Sequence, residues 1–208
     1  MRVRDRVEAG VRLGELVAAE VPAGALVVGL PRGGVPVAAG VADALGSPLD
    51  VVLVRKLGVP GHRELAMGAL GEGGAVVWND DLIARLGISD RQRAKVVAHE
   101  RDELARRARL LRGDAAPIDV GGRTVVVVDD GVATGATARA AAAVLRARGT
   151  ARLVLAAPVG PPDFDGAPDF DRTIIDERPL GFMAVGQHYV DFREVPDADV
   201  VAILERHR

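Results

Sequence analysis

Short runs of apolar, largely β-branched residues alternate with alanine-rich segments along this chain, and this alternation limits the folds open to it. The runs lie at residues 25–30, 49–56, 124–130 and 152–158. The segments that follow the first and third runs have helical composition and end at Gly46 and Gly149. Strands that stay apolar along their whole length are typical of parallel sheets covered by helices on both faces. The pattern therefore predicts an α/β fold with a Rossmann-like parallel sheet.

The remaining segments are predicted to lie around this core. An amphipathic helix over 5–20 precedes the first strand, and the glycine-rich stretch 57–78 indicates a loop or hairpin. A helical segment at 79–113 is inserted before the third strand, and its long helix runs from Asp90 to Arg112 with Ser89 as N-cap.

The chain of 208 residues fits a single domain over 1–208, with a core at about 22–157. The proline-rich stretch 158–208 predicts an irregular lobe that ends in a helix from Asp197. Together with the N-terminal helix, this lobe is expected to form a hood over the core.

Composition excludes several classes of protein. The 27 basic and 29 acidic residues leave a net charge of −2, so no global positive field indicates nucleic acid. The chain has no cysteine, which rules out disulfides, zinc ribbons and a cysteine nucleophile and fits the cytoplasm. No apolar run of about 18 residues is present, so no membrane span is expected.

The strongest chemical signal follows the third strand. Asp129 and Asp130 come directly after four valines, and a turn of small and hydroxylated residues leads into the next helix. Backbone N–H groups at that helix start, together with the hydroxyls of Thr134 and Thr137, would form a cradle for a phosphate group. Two acids beside an anion cradle are best explained as partners of sugar hydroxyls or of the water shell of a metal.

Two other interpretations of this segment are a Walker A phosphate-binding loop and an ordinary helix cap. The loop is not a Walker A motif, because Ala136 follows Gly135 where that motif has lysine. An acidic strand end followed by an ordinary helix cap would also give part of the pattern.

Residues 125–137 closely resemble the phosphoribosyl diphosphate (PRPP) motif of the type I phosphoribosyltransferase family, which has four apolar residues, two acids and a loop ending in T-G-x-T. The resemblance implies that Asp129 and Asp130 bind the ribose hydroxyls and hold Mg²⁺, mostly through water. It also implies that the loop binds the 5-phosphate through Ala133, Thr134, Gly135, Ala136 and Thr137. The segments RDRVEAG, LPRGGVPVA, ELAMGAL and AVGQHYVDF are similar to a bacterial branch of this family with an unassigned acceptor.

A second candidate site follows the first strand. Pro31 and Arg32 precede Gly33 and Gly34, so backbone N–H groups and a guanidinium suited to anions would lie at the same sheet edge. An ordinary turn with a surface arginine is the alternative. By resemblance this is the pyrophosphate loop, which in the family often contains a non-proline cis peptide bond, and Arg32 is expected to be catalytic.

A third cluster of charge lies at the end of the second run. Arg55 and Lys56 could neutralise a pyrophosphate leaving group, with Lys56 in a catalytic role, although a solvated basic strand end would look the same. The stretch with His62, Arg63 and Glu64 corresponds by resemblance to a flexible loop that closes over the reacting centre.

The hood contains much of the scarce aromatic content. Phe182, Gln187 and Tyr189 are candidates for binding the acceptor base, and packing within the lobe is the alternative. Enzymes that act on 6-oxopurines usually have an aspartate two residues before the loop glycine, where this chain has Ala133. The resemblance therefore does not identify the acceptor.

The long helix 90–112 carries eight basic residues against three acids beyond its first residue. Such a charge could suit nucleic acid, but an apolar stripe that includes Val97, Leu104 and Leu111 favours docking onto the core or a second subunit. We expect docking, with nucleic acid as the less favoured partner and a homodimer as a possible state.

These observations lead to one expected function and two rivals. The expectation is a Mg²⁺-dependent phosphoribosyltransferase of nucleotide salvage or related metabolism that displaces pyrophosphate from PRPP with a nitrogenous base. The first rival is a PRPP or nucleotide sensor with little turnover that binds nucleic acid through helix 90–112. The second is a phosphohydrolase that uses Asp129 or Asp130 as its nucleophile.

Overall fold

The computed structural model describes residues 3–207, with only the backbone of Arg63. The helices are α1 (Arg6–Ala18), α2 (Gly34–Leu45), α3 (Asp80–Leu86), α4 (Asp90–Arg112), α5 (Ala136–Ala147) and α6 (Asp197–Arg206). The strands are β1 (Leu26–Gly29), β2 (Leu49–Val51), β3 (Val54–Val59), β4 (His62–Gly71), β5 (Val76–Trp78), β6 (Thr124–Val128), β7 (Arg152–Val159) and β8 (Arg172–Glu177). Two short 3₁₀ turns occupy Glu72–Gly74 and Val185–His188.

A five-stranded parallel sheet in the order β2-β1-β6-β7-β8 forms the core. Val126 and Val128 of β6 pack into a cluster with α1 and α2, whereas Val125 and Val127 pack with α5 on the other face. All four valines are fully buried. The α/β fold with a sheet covered on both faces is therefore confirmed, because side chains that alternate across a strand must all be apolar when both faces are covered.

Two sequence predictions of strand boundaries were wrong. The run 49–56 is not one strand, because β2 ends in the parallel sheet while β3 pairs antiparallel with β4 in a separate three-stranded sheet. Strand β8, within the segment expected to be irregular, pairs with β7 and buries Ile174 as the fifth strand of the core sheet. In both cases the strand partner is set by tertiary contacts, which apolar content alone does not encode.

The glycine-rich stretch 57–78 contributes most of the second sheet, of order β3-β4-β5, which is the hairpin alternative. The predicted cap and stop of α4 are confirmed, with Ser89 and Gln92 forming a capping box. Val97, Leu104 and Leu111 are buried against the chain's own core, which confirms docking of this helix.

Helices α1 and α2 pack with backbone contact, which fixes the start of α1 beside the sheet edge. A Cβ atom on Gly40 would lie 2.4 Å from the carbonyl carbon of Gly10, and one on Gly14 would lie 2.7 Å from the Gly40 oxygen. Glycine at these crossing points therefore allows the close approach. Among the helices that the structure describes, none has the length and apolar character needed to cross a membrane.

Candidate active site

Two loops meet at the carboxyl edge of the parallel sheet. The carboxylate loop, residues 129–137, follows β6, and the arginine loop, residues 31–34, follows β1. The Leu30 N–H donates to the carbonyl oxygen of Val128 at 2.8 Å, so the ends of the two strands are held side by side. This edge, where neighbouring loops diverge, is the usual ligand position in open α/β sheets.

The two loops are in direct contact. A Cβ atom on Gly33 would lie 2.0 Å from Asp130 Oδ2, and one on Gly34 would lie 2.6 Å from the carbonyl oxygen of Val128. The peptide bond between Pro31 and Arg32 is cis, at the loop where such a bond was expected. Both glycines are thus required for the contact between the loops.

Asp130 is held by groups from distant parts of the chain. The Nε and Nη2 atoms of Arg6 each lie 2.8 Å from Asp130 Oδ2. The Tyr189 hydroxyl donates to the carbonyl oxygen of Asp130 at 2.6 Å. The second acid of the motif is therefore fixed at both its side chain and its backbone.

Asp129 has a different environment. Its Oδ1 accepts the N–H of Asp130 at 2.9 Å. Burial raises the pKa of the Asp129 carboxyl, and the negative charge of Asp130 raises it further, against the opposing effects of that N–H and of Arg6. A carboxylate in this position is stabilised by a hydroxyl donor or a cation, since either compensates the charge.

The rest of the carboxylate loop leads into α5. Gly135 has a φ of 74° and is the N-cap of the helix, whose first turn contains no acid. The exposed residues of the loop are Ala133, Thr134, Ala136 and Thr137. The Ala136 N–H donates to Thr134 Oγ1 at 3.4 Å. An exposed helix N-terminus whose first turn carries no acidic side chain suits an anion.

Two side chains from the segment after β7 pack against this loop from outside. A Cβ atom on Gly135 would lie 2.5 Å from the ring of Phe164, and one on Gly131 would lie 2.4 Å from Val185. The guanidinium of Arg178 donates to the carbonyl oxygen of Phe164 at 2.8 Å, which ties the segment before β8 to the segment after it. These contacts restrict how far the loop can move.

Arg32 is engaged by the C-terminal segment. Its guanidinium forms an ion pair with Glu194 and lies 3.8 Å from an Asp197 carboxylate oxygen. The Arg32 side chain is 30% exposed and that of Glu194 is 77% exposed. An incoming anion would therefore compete with a solvated carboxylate for Arg32.

The expected cations of the second run lie on the second sheet. Arg55 and Lys56 are within β3, not at the carboxyl end of a core strand, because the chain has already left the parallel sheet. Arg55 Nε lies 2.7 Å from Glu100 Oε2, and Lys56 Nζ lies 3.4 Å from Glu64 Oε2 and 3.1 Å from the Glu64 carbonyl oxygen. The structure therefore pairs both cations with acidic residues outside the core sheet.

The flexible loop expected from resemblance is part of a hairpin. His62, at the start of β4, and Glu64 are exposed near its tip, where Gly61 has a φ of 83°. The side chain of Arg63 lies outside the described part of the structure. The role of this hairpin in closing a site stays a prediction.

The three hood candidates have separate environments. Tyr189 is buried, and its burial beside Asp130 raises the pKa of its phenol. Phe182 stacks on His188 with ring centroids 5.8 Å apart, and Gln187 is exposed. Tyr189 thus supports the Asp130 backbone, and a base-binding role of Phe182, Gln187 and Tyr189 stays a prediction.

Three residues at this edge were not predicted from the sequence: Arg6, Phe164 and Glu194. Arg6 lies in the RDRVEAG segment that carries part of the resemblance, but its partner is 124 positions away. Glu194 and Phe164 lie in the proline-rich lobe, where no helical or strand periodicity in the sequence indicates which way a side chain faces. Long-range pairing of this kind leaves no local pattern in a single sequence.

Comparison with known proteins gives consistent results. The phosphoribosyl transferase domain family matches residues 71–190. Proteins named "Putative phosphoribosyl transferase" from two strains of Mycobacterium tuberculosis are 46% identical over 207 residues, which are 98% of this chain and 47% of theirs. The crystal structure of TT1426 from Thermus thermophilus is 44% identical, with a TM-score of 0.88, and covers 100% of this chain and 99% of its own.

The fold and the paired loops define a phosphoribosyltransferase-type α/β domain. The chain belongs to the phosphoribosyl transferase family, because the family matches more than half of it. It spans about half the length of the mycobacterial relatives. Within residues 3–207, no group of three or more metal-binding side chains comes together.

Proposed function

We propose that this protein is a Mg²⁺-dependent phosphoribosyltransferase that displaces pyrophosphate from C1 of PRPP with a nitrogen nucleophile. The observation that carries the proposal is the close approach of Gly33 to the Asp130 carboxylate, which joins the arginine loop to the carboxylate loop at the sheet edge. PRPP has this order of groups: a 5-phosphate, a sugar diol and a pyrophosphate.

Each part of PRPP is assigned to one part of the site. Backbone N–H groups and hydroxyls at 133–137 bind the 5-phosphate, and Asp129 and Asp130 bind the diol. Arg32, with the backbone N–H of Gly33, binds the pyrophosphate. The N–H of Gly34, the other glycine of the arginine loop, already donates to the Leu30 carbonyl oxygen at 3.0 Å. Arg55 and Lys56 stay candidates for the leaving group only if the hairpin moves, because Glu100 and Glu64 hold them.

The chemistry needs little from the protein beyond positioning and charge stabilisation. The C1–O bond breaks and pyrophosphate leaves with the electron pair, while the acceptor nitrogen uses its lone pair to form the new C1–N bond. The acceptor's proton is then released to water or a base. Fixed cations and N–H groups at the leaving group lower the barrier because they are oriented before the reaction.

The two aspartates of the carboxylate loop fit a Mg²⁺ ion that is held mostly through water and substrate oxygens. Mg²⁺ binds through one or two carboxylates together with phosphate oxygens and water. Asp129 supplies a carboxylate with few compensating donors, whereas Asp130 already pairs with Arg6. Asp129 is thus the better candidate to hold the ion, which would neutralise charge on the pyrophosphate.

Release of pyrophosphate from PRPP in the presence of a panel of purine, pyrimidine and other nitrogenous acceptors tests the proposal. We expect turnover with at least one acceptor, and its loss in the variant Asp129→Asn with Asp130→Asn. The variant Asp114→Asn with Asp119→Asn, at exposed positions, carries the same charge change and should keep full activity. Equal rates in the two double variants would refute the assignment.

A PRPP sensor is the second candidate, favoured by the acidic partners that hold Arg32 in place. Binding of PRPP without turnover by any acceptor, together with a steeply salt-dependent affinity for RNA or DNA, would support it. The phosphohydrolase hypothesis, the cytoplasmic location, the salvage role and the homodimer stay predictions.

A further inference from the structure

Arg6, at the first position of α1, is a largely buried arginine at the candidate site. Its side chain is 11% exposed, and that of its partner Asp130 is 16% exposed. Charged side chains are rarely buried to this extent unless they are paired. A buried ion pair at this position therefore indicates a specific role for Arg6, which an ordinary solvent-exposed arginine would not have.

All three guanidinium nitrogens of Arg6 have protein partners. Nε and Nη2 bind Asp130 Oδ2, and Nη1 donates to the carbonyl oxygen of Arg193 at 2.8 Å. The guanidinium carbon lies 4.1 Å from the ring centroid of Phe192. The direction of the Asp130 carboxylate is thus fixed by a planar group that is itself fixed on three sides.

The same side chain connects three parts of the molecule. It joins the start of α1 to the carboxylate loop through Asp130, and to the segment before α6 through Phe192 and Arg193. The ring of Phe192 lies 5.0 Å from that of Tyr189, whose hydroxyl holds the Asp130 carbonyl oxygen. Asp130 is therefore held at both ends by one connected cluster.

We propose that Arg6 is a positioning residue that orients Asp130 for the ribose diol of the substrate. The inference rests on the proposed function, since it takes the diol as the ligand of Asp130. Arg6 acts through Asp130, because its nitrogens are already occupied by protein oxygens. Without Arg6, the carboxylate would lose the partner that holds it against Gly33 and would bind the hydroxyls less well.

Arg6 could instead have a purely structural role as an anchor of α1. A second arginine of the same helix allows this role to be tested separately from the positioning of Asp130. Arg12, on the same helix, ties α1 to β8 through Asp176 at 2.8 Å. It binds neither aspartate of the motif in the described structure. Arg12→Gln therefore removes a comparable helix anchor and leaves the site intact.

Calorimetric titrations with ribose 5-phosphate and with inorganic phosphate test the proposal. We expect Arg6→Gln to lose about tenfold or more in affinity for ribose 5-phosphate, the scale of one charge-assisted hydrogen bond. Its affinity for inorganic phosphate should change by less than about twofold, because the 133–137 loop is untouched. Arg12→Gln should match the wild type with both ligands.

A double-mutant cycle tests whether Arg6 acts through Asp130. Arg6→Gln combined with Asp130→Asn should bind ribose 5-phosphate no more weakly than Asp130→Asn alone. Arg6→Lys keeps the charge but not the planar guanidinium, so it should recover part of the affinity for ribose 5-phosphate that Arg6→Gln loses. It also replaces Arg6→Gln in these titrations if that variant does not fold.

The outcomes separate this proposal from the proposed function. If the wild type binds ribose 5-phosphate no better than phosphate, the sugar site itself is refuted, and Arg6 with it. A wild type that prefers the sugar phosphate, with Arg6→Gln and Arg6→Lys equal to Arg12→Gln, would overturn the role of Arg6 alone. If the losses of ribose 5-phosphate affinity caused by Arg6→Gln and Asp130→Asn were additive in the double-mutant cycle, the role of Arg6 would likewise be overturned.

Discussion

Asp130 Oδ2 lies 2.0 Å from the point that a Cβ atom on Gly33 would occupy, so the two loops of the candidate site touch with no space for a methyl group. Gly33 has a φ of −60°, which any residue can adopt. The requirement for glycine at this position is therefore the close approach and not the backbone conformation. Substitution here acts directly on the contact that organises the site.

Gly33→Ala should displace the Asp130 carboxylate from Arg6 and weaken PRPP binding by about tenfold or more. Overpacking of this kind costs about 1–3 kcal/mol of unfolding free energy. Gly181→Ala is the matched control, because a Cβ atom there meets nothing within 4 Å. Calorimetry with PRPP and urea unfolding measure the two effects. Unchanged PRPP affinity in Gly33→Ala would contradict the assignment of the loop contact.

The two glycines that flank α5 give a second comparison. Gly135 and Gly149 have φ values of 74° and 81°, so alanine at either should cost about 1–2 kcal/mol of stability. At Gly135 the added Cβ also meets the Phe164 ring at 2.5 Å, whereas at Gly149 the nearest atom is 4.0 Å away. We expect Gly135→Ala alone to weaken binding of inorganic phosphate and ribose 5-phosphate. Similar phosphate affinities in the two variants would argue against a phosphate site at the start of α5.

Removal of the Glu194 carboxylate should free Arg32 for an anion. Because the pair is largely solvated, its effect is limited to about 1 kcal/mol, so Glu194→Gln should bind pyrophosphate up to about fivefold more tightly. Glu205→Gln, at an exposed position of α6, carries the same charge change and should leave the affinity unchanged. Isothermal titration with pyrophosphate and Mg²⁺ measures both. Weaker binding in Glu194→Gln would show that Glu194 supports the site.

Arg112 at the end of α4 should be required for stability. Its side chain is 2% exposed, lies 2.7 Å from Asp50 Oδ1 and also pairs with Glu72. Arg112→Met would leave these carboxylates without a buried cation and should cost about 3–5 kcal/mol in the free energy of unfolding. Arg109→Met, at an exposed position one turn earlier, should cost less than about 0.5 kcal/mol. Urea unfolding followed by circular dichroism distinguishes these outcomes.

The sequence was most informative where one segment determines its own structure. Four consecutive valines define β6 because a strand buried on both faces has no polar positions, and Ser89 with Gln92 marks the start of α4 through a local capping box. The adjacent carboxylate loop could be located for the same reason, since its acids and glycines follow the strand directly.

Features that depend on distant partners could not be predicted from one sequence. The run 49–56 divides between two sheets because β4 pairs with its second half, and nothing within the run indicates that partner. Likewise, Arg6 pairs with Asp130, and Arg32 pairs with Glu194, only in the folded chain, because the partners are far apart in the sequence. The motif therefore indicated the candidate site, and tertiary contacts determine how its side chains are held.

Calorimetric titration of PRPP with Mg²⁺ into the wild type and the Asp129→Asn, Asp130→Asn double variant tests the central claim most directly. We expect saturable one-site binding to the wild type and no detectable binding to the double variant, with circular dichroism spectra that coincide. Equal PRPP affinity in the two proteins would contradict the claim that these aspartates and the adjoining loop hold the sugar phosphate.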